Sequence, residues 1–190
     1  ICVLHAPLFH PAMKQVGPIR KELGVKTFFN MLGPMVNPAF PRNQLVGVFN
    51  LELARMYGYL YQKGDKQYSI LHAMDGYDEI SLTGATKVIS NHSERELKPA
   101  DLGLRTLKPE ELYGGSTVQE SAAIFMQILN GNGTEAQRSV VCANAAMAIA
   151  TVQDITVEAA LEKAETSLQD GKALASLTKL QALSNQYASL

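Results

Sequence analysis

Three consecutive runs between Gln44 and Ala73 constrain the fold most: "QLVGVF", "LELARMYGYLYQK" and "QYSILHA". The outer two are short and rich in β-formers. In the middle run Leu53, Met56, Tyr57 and Leu60 recur at the spacing of one helical face. Asn50 stands where a side-chain oxygen caps that helix, and Gly64 marks its end. Strand, helix and strand joined by short links predict a right-handed parallel crossover.

The flanking segments extend this pattern. "ICVLH" at the start reads as a strand. "HPAMKQVGPIRKEL" reads as helical turns interrupted at Gly17-Pro18, because proline lacks a backbone donor. "GPMVNPAFPR" holds three prolines and reads as a stiff loop. "ATKVISN" predicts a further strand, and residues 96–116 an irregular stretch with two turns marked by proline. The last third is helical. Thr117 with Glu120, and Thr134 with Gln137, match capping boxes; Thr156 caps a third helix, and "KALASLTKLQAL" makes a fourth. The expected architecture is α/β: residues 1–190 as one domain, with helices packed on one parallel sheet.

Composition limits the partners. A chain of 190 residues with 46% hydrophobic residues can bury a substantial core. The 17 basic and 18 acidic residues balance to a net charge of −1, which leaves no electrostatic footprint for nucleic acid or an anionic membrane. Cys2 and Cys142 form no CxxC and read as two reduced core thiols of a cytoplasmic protein. The most apolar long segment, residues 139–152, is too short to span a bilayer. The apolar opening "ICVLHAPLFH" predicts a chain that continues before Ile1.

Few residues suggest chemistry. Asp78 and Glu79 are adjacent carboxylates, and Asp78 lies five residues beyond the end of the predicted strand 67–73. In open parallel sheets ligands bind outside the carboxyl ends of strands. Hard oxygen donors there suit Mg²⁺, which takes one or two carboxylates; a solvated acidic turn is the other reading. Asp75 opens an Asp-Gly turn and reads as structural. Arg20, with Lys14 and Lys21, forms a basic cluster beside the Gly-Pro break that either receives a carboxylate or is a solvated helix face. His10 is either a polar group in an apolar pocket or a satisfied structural histidine. His5, His72 and His92 lack zinc-ligand spacing. No nucleophile elbow, Walker loop or GxGxxG occurs, and Asn144 reads as a buried hydrogen-bonding residue.

Taken together, "HPAMKQVGPIRKELGVKTFFNMLGPMVNP", "DGYDEISLTGATKV", "LKPEELYGGSTVQESAAIF" and "ANAAMAIA" resemble the anthranilate phosphoribosyltransferase family, in that family's order and spacing from His10 to about Leu183. The resemblance implies the fold of class-III nucleoside phosphorylases, with a larger α/β domain and a small helical domain largely missing from this chain. It implies transfer of a phosphoribosyl group from phosphoribosyl pyrophosphate (PRPP) to anthranilate in tryptophan biosynthesis, and usually a homodimer. Carried over residue by residue, Asp78 and Glu79 match the acidic pair that holds Mg²⁺ on the pyrophosphate. Arg20 matches the arginine that contacts anthranilate, and His10 and Pro34 match positions lining its channel.

The departures matter as well. The family's Gly-Thr-Gly-Gly-Asp phosphate loop and its Lys-His-Gly-Asn segment do not occur in this sequence. The resemblance therefore implies an N-terminal segment as partner and an inactive 190-residue piece. Ser116 and Ser121 stand where the family has Asp and Asn. Two alternative readings are a pyrimidine nucleoside phosphorylase, which shares the fold, and a non-enzymatic relative that binds nucleic acid.

Overall fold

The computed structural model describes residues 1–4, 11–24 and 29–187. The chain divides into two compact units, Ile1–Phe40 with Ser176–Leu190, and Pro41–Ala175. The smaller unit holds helix α1 (Pro11–Leu23), the single turn α2 (Phe29–Leu32) and a 3-10 turn Gly33–Met35. Helix α1 runs through Pro18, which the sequence reading treated as an interruption; the proline removes one donor, and the bonds before and after it carry the helix on. Residues 1–4 form no strand, and His5 lies outside the described residues.

The larger unit is built on four strands: β1 (Asn43–Gly47), β2 (Gln67–Ala73), β3 (Thr86–Ser90) and β4 (Glu94–Leu97), adjacent in that order. Between the first two lies α3 (Leu51–Tyr61), capped by Asn50, whose side chain accepts from the Leu53 N–H at 2.8 Å. β1 and β2 pair in parallel, as the crossover predicts, with Gly47 opposite Leu71. The rest of the sheet is antiparallel, so the sheet is mixed rather than parallel. The cause is visible in the chain: residues 74–85 join β2 to β3 without a helix, and a parallel return needs a longer crossover.

β2 is central, and six of its seven residues are buried. Alternation along it sorts the two faces. Tyr68 meets Tyr61 of α3, with ring centroids 5.5 Å apart. On the other face Ser69 accepts from the Thr151 hydroxyl at 2.8 Å, and Leu71 and Val88 enter the main core. That core is closed by α4 (Val118–Leu129), α5 (Glu135–Gln153) and α6 (Val157–Gln169). Ala143, Ala146 and Ala160 are fully buried where α5 and α6 pack, and small side chains there let the helices approach closely. α7 (Lys172–Tyr187) ends the described chain.

Thr117, Thr134 and Thr156 all cap as expected, though only Thr134 and Gln137 form a reciprocal box. The Glu120 carboxylate instead accepts from the Ser116 N–H at 2.7 Å. The two proline-marked turns are 3-10 turns, Pro99–Leu102 and Pro109–Leu112. Cys142 is buried, and burial pushes its thiol up; Cys2 is exposed, against the expectation of a second core thiol. His72 is a satisfied structural histidine, its Nδ1 donating to the Val48 carbonyl at 2.9 Å. Among the described residues no single helix is long and apolar enough to cross a membrane.

Candidate active site

The acidic pair sits on the connection between β2 and β3. This loop is folded back on itself by backbone bonds. Gly76 N–H donates to Ala73 O, Ala73 N–H to Tyr77 O, and Met74 N–H to Ala85 O, all at 2.8–2.9 Å. Gly76 has φ +103°, a conformation that side chains disfavour. Leu82 also takes a positive φ, +60°, yet is buried. A non-glycine residue there costs about 1 kcal/mol, so the surroundings impose that conformation; the Leu82 carbonyl accepts from Leu107 N–H at 2.8 Å.

Asp75 is consumed by the loop. The Thr83 hydroxyl donates to its carboxylate, and Ser81 Oγ lies 3.3 Å from it. This agrees with its structural reading.

Asp78 and Glu79 differ. Both are exposed, and among the described residues neither carboxylate has a hydrogen-bond or ion-pair partner. Their backbone, however, is held tightly. Gly47, the last residue of β1, lies directly under Asp78: a Cβ on Gly47 would fall 1.7 Å from the Asp78 carbonyl oxygen. No side chain fits. This contact places the pair at the carboxyl end of the parallel strands, where the spacing after β2 put it. On the other flank, Asn144 of α5 accepts from Ile80 N–H at 2.9 Å and donates to Ile80 O at 2.8 Å. Glu79 also lines a cavity of about 200 Å³ with Tyr77, Tyr113, Ile124 and Val141.

The donor set suits a hard divalent cation in one specific way. Among the described residues no cluster of three or more His, Cys, Asp or Glu could hold a metal by itself. Two carboxylates with unused lone pairs match the ion that keeps its waters and completes its shell with substrate phosphate.

The other expected site residues lie in the smaller unit. Arg20 is on α1, in its third turn, and the half-buried Pro34 is in the 3-10 turn Gly33–Met35. His10 lies outside the described residues. Ser116 Oγ is 2.6 Å from the Tyr113 hydroxyl, and Ser121 Oγ donates to Thr117 O at 3.0 Å, so both serines serve the local turn. Just before that turn the Arg105 guanidinium holds Glu111 down to about 2, helped by the Lys108 N–H.

The sequence reading missed Gly47, although an isolated glycine inside a strand pattern is a signal of close backbone approach. It identified Asn144 as a hydrogen-bonding residue but not its partner.

Comparison with known proteins converges on one group. The family described as "Glycosyl transferase family, a/b domain" matches residues 1–174. An anthranilate phosphoribosyltransferase of Flavobacterium johnsoniae is 66% identical over 97% of this chain and 56% of its own. One from Bacteroides thetaiotaomicron is 49% identical over 98% of this chain and 56% of its own. Among solved structures, the anthranilate phosphoribosyltransferase of Thermus thermophilus superposes with TM-score 0.84 at 30% identity, covering 93% of this chain and 53% of that one. The Saccharomyces cerevisiae enzyme in complex with PRPP and Mg superposes with TM-score 0.82 at 28% identity, covering 91% and 50%. The chain thus spans about half the length of the relatives it matches. It belongs to the glycosyl transferase family, and residues 1–174 match that family's a/b domain.

Proposed function

We propose that the protein transfers the phosphoribosyl group of PRPP to anthranilate, giving N-(5-phosphoribosyl)anthranilate and pyrophosphate, in tryptophan biosynthesis. The observation that carries this is the pair Asp78–Glu79: two exposed carboxylates without partners among the described residues, on a backbone fixed at the carboxyl end of the parallel strands. The names of the similar proteins, and the PRPP and Mg bound to one of them, support it. The pyrimidine nucleoside phosphorylase and nucleic-acid-binding readings gain no support from these relatives.

In the reaction the anthranilate nitrogen forms a bond to the anomeric carbon as the bond to the pyrophosphate oxygen breaks. The nitrogen then loses a proton. Asp78 and Glu79 would hold Mg²⁺, which would supply positive charge to offset the negative charge that builds on the departing pyrophosphate. Anthranilate is a weak neutral nucleophile, so its positioning dominates. Arg20 offers a guanidinium to its carboxylate, and His10 and Pro34 line its channel. The working enzyme includes an N-terminal segment carrying the phosphate loop, and it is a cytoplasmic homodimer.

The test is turnover by the full-length protein with anthranilate, PRPP and Mg²⁺, read as loss of anthranilate fluorescence with equimolar pyrophosphate. Phosphorolysis of thymidine without turnover of anthranilate would overturn the assignment. Arg20→Ala is expected to raise the KM for anthranilate roughly tenfold, more than the KM for PRPP; the reverse pattern removes Arg20 from the anthranilate site.

A further inference from the structure

We infer that Asn144 is a positioning residue for the acidic pair, acting through the backbone of Ile80. The inference rests on the transferase reading above and adds a residue to it.

Glu79 sits between two peptide planes, and each is held from outside the loop. The plane before it contains the Asp78 carbonyl, which lies against Gly47 with no space for a side chain. The plane after it contains the Ile80 N–H, which donates to Asn144 Oδ1 at 2.9 Å. A peptide plane is rigid, so fixing its N–H fixes the direction of the Cα that precedes it. Asn144 adds a second bond, from its Nδ2 to the Ile80 carbonyl at 2.8 Å, and the same nitrogen also donates to Val140 O at 2.9 Å. One amide thus satisfies both backbone groups of one residue, as a paired strand would.

Ile80 is 64 positions from Asn144 in sequence, and its side chain is buried. The clamp therefore ties the exposed acidic pair to the core helix α5. Helix propensity does not explain an asparagine at this place, since alanine is the better helix former. Its place is explained by the loop it reaches. Two carboxylates that would hold a cation need their backbone fixed more closely than an exposed loop fixes itself.

The experiment uses the full-length enzyme and compares Asn144→Ala with Leu161→Ala, a core truncation in α6. Three quantities are read: the apparent Mg²⁺ activation constant, the KM for anthranilate, and Mn²⁺ binding in the presence of PRPP by electron paramagnetic resonance. Asn144→Ala is expected to weaken both metal constants roughly tenfold and to leave the anthranilate KM within about twofold. Leu161→Ala is expected to lower the Tm and leave all three within about twofold. Metal constants unchanged in Asn144→Ala, or shifted equally by Leu161→Ala, overturn the positioning role. If Asn144→Ala does not fold, Asn144→Ser is read against the same two outcomes. Asp78→Asn with Glu79→Gln is measured in parallel. If that double variant leaves metal binding unchanged, the metal role of the pair fails and the role of Asn144 fails with it; if it abolishes binding while Asn144→Ala does nothing, only the positioning role fails.

Discussion

The two ends of β2 use the same device for different purposes. At the amino end, Asn91 accepts from Tyr68 N–H and donates to Lys66 O, both at 2.7 Å. At the carboxyl end, Asn144 makes the corresponding pair of bonds to Ile80. The charges nearby then diverge. At the amino end His92 lies 3.5 Å from Asp154, and across the neighbouring strands Lys87 meets Glu94 at 2.8 Å and holds its carboxyl below the usual range. A cavity of about 280 Å³ there is lined by His92, Asp154, Ser90 and Thr151, several of them already partnered. At the carboxyl end, Asp78 and Glu79 have no partner among the described residues. A clamped backbone alone marks stability. A clamped backbone that presents unpaired charge marks a place where a ligand completes the electrostatics.

The same contrast holds within one loop. Asp75 and Asp78 are three residues apart, yet the first is tied to Ser81 and Thr83 and the carboxylate of the second has no partner among the described residues. Sequence proximity does not assign a carboxylate its role; its hydrogen bonds do.

The difference between the two ends is open to direct attack. The largest effect is expected from Gly47→Val. The branched side chain would displace the Asp78 carbonyl, and full-length activity is expected to fall by about a hundredfold or more, as misplacement near reacting groups does. Stability would drop by about 1–3 kcal/mol, the range for overpacking. Urea unfolding and turnover together check this, and a variant with normal kinetics would show that the loop does not need that contact. Asn91→Ala should behave oppositely. Losing two backbone bonds at a partly buried end is expected to cost about 1–2 kcal/mol in urea unfolding, with kinetics unchanged. A large kinetic loss would show that the two ends are not distinct in role.

The smallest effect concerns the turn before α4. The folded carboxyl of Glu111 is depressed to about 2, mainly by the Arg105 hydrogen bonds. A depressed acid contributes stability above its unfolded value and loses it as pH falls through the folded value. The wild type should therefore lose slightly more stability than Glu111→Gln on acidification from the ordinary carboxylate range towards about 2. Because the pair is exposed, salt should reduce the difference. Parallel acid titrations followed by circular dichroism would measure it; identical curves would show that the pair contributes nothing.

Much of this was legible in the chain. Strand β2 has the limits its composition predicts, Gln67 to Ala73, because turn residues bound it on both sides. Asn50 and the three threonine caps were readable because capping depends on local spacing. Strand direction was not readable. Only the missing helix between Ala73 and Thr86 signals that β3 turns back, and strand propensity carries no direction. The clamp of Asn144 on Ile80 was hidden for another reason. It joins residues 64 apart, and no local pattern encodes such a pairing. Gly47 lies between these cases: the glycine was visible, but the backbone pressed against it was not.

The most direct measurement is PRPP-dependent Mn²⁺ binding and Mg²⁺-dependent turnover in the full-length protein carrying Asp78→Asn and Glu79→Gln. Both substitutions preserve shape and remove charge. The predicted result is loss of metal binding and a fall in turnover of about a hundredfold or more, with an unchanged circular dichroism spectrum. Metal binding and turnover at wild-type levels would contradict the assignment of this pair as the metal site.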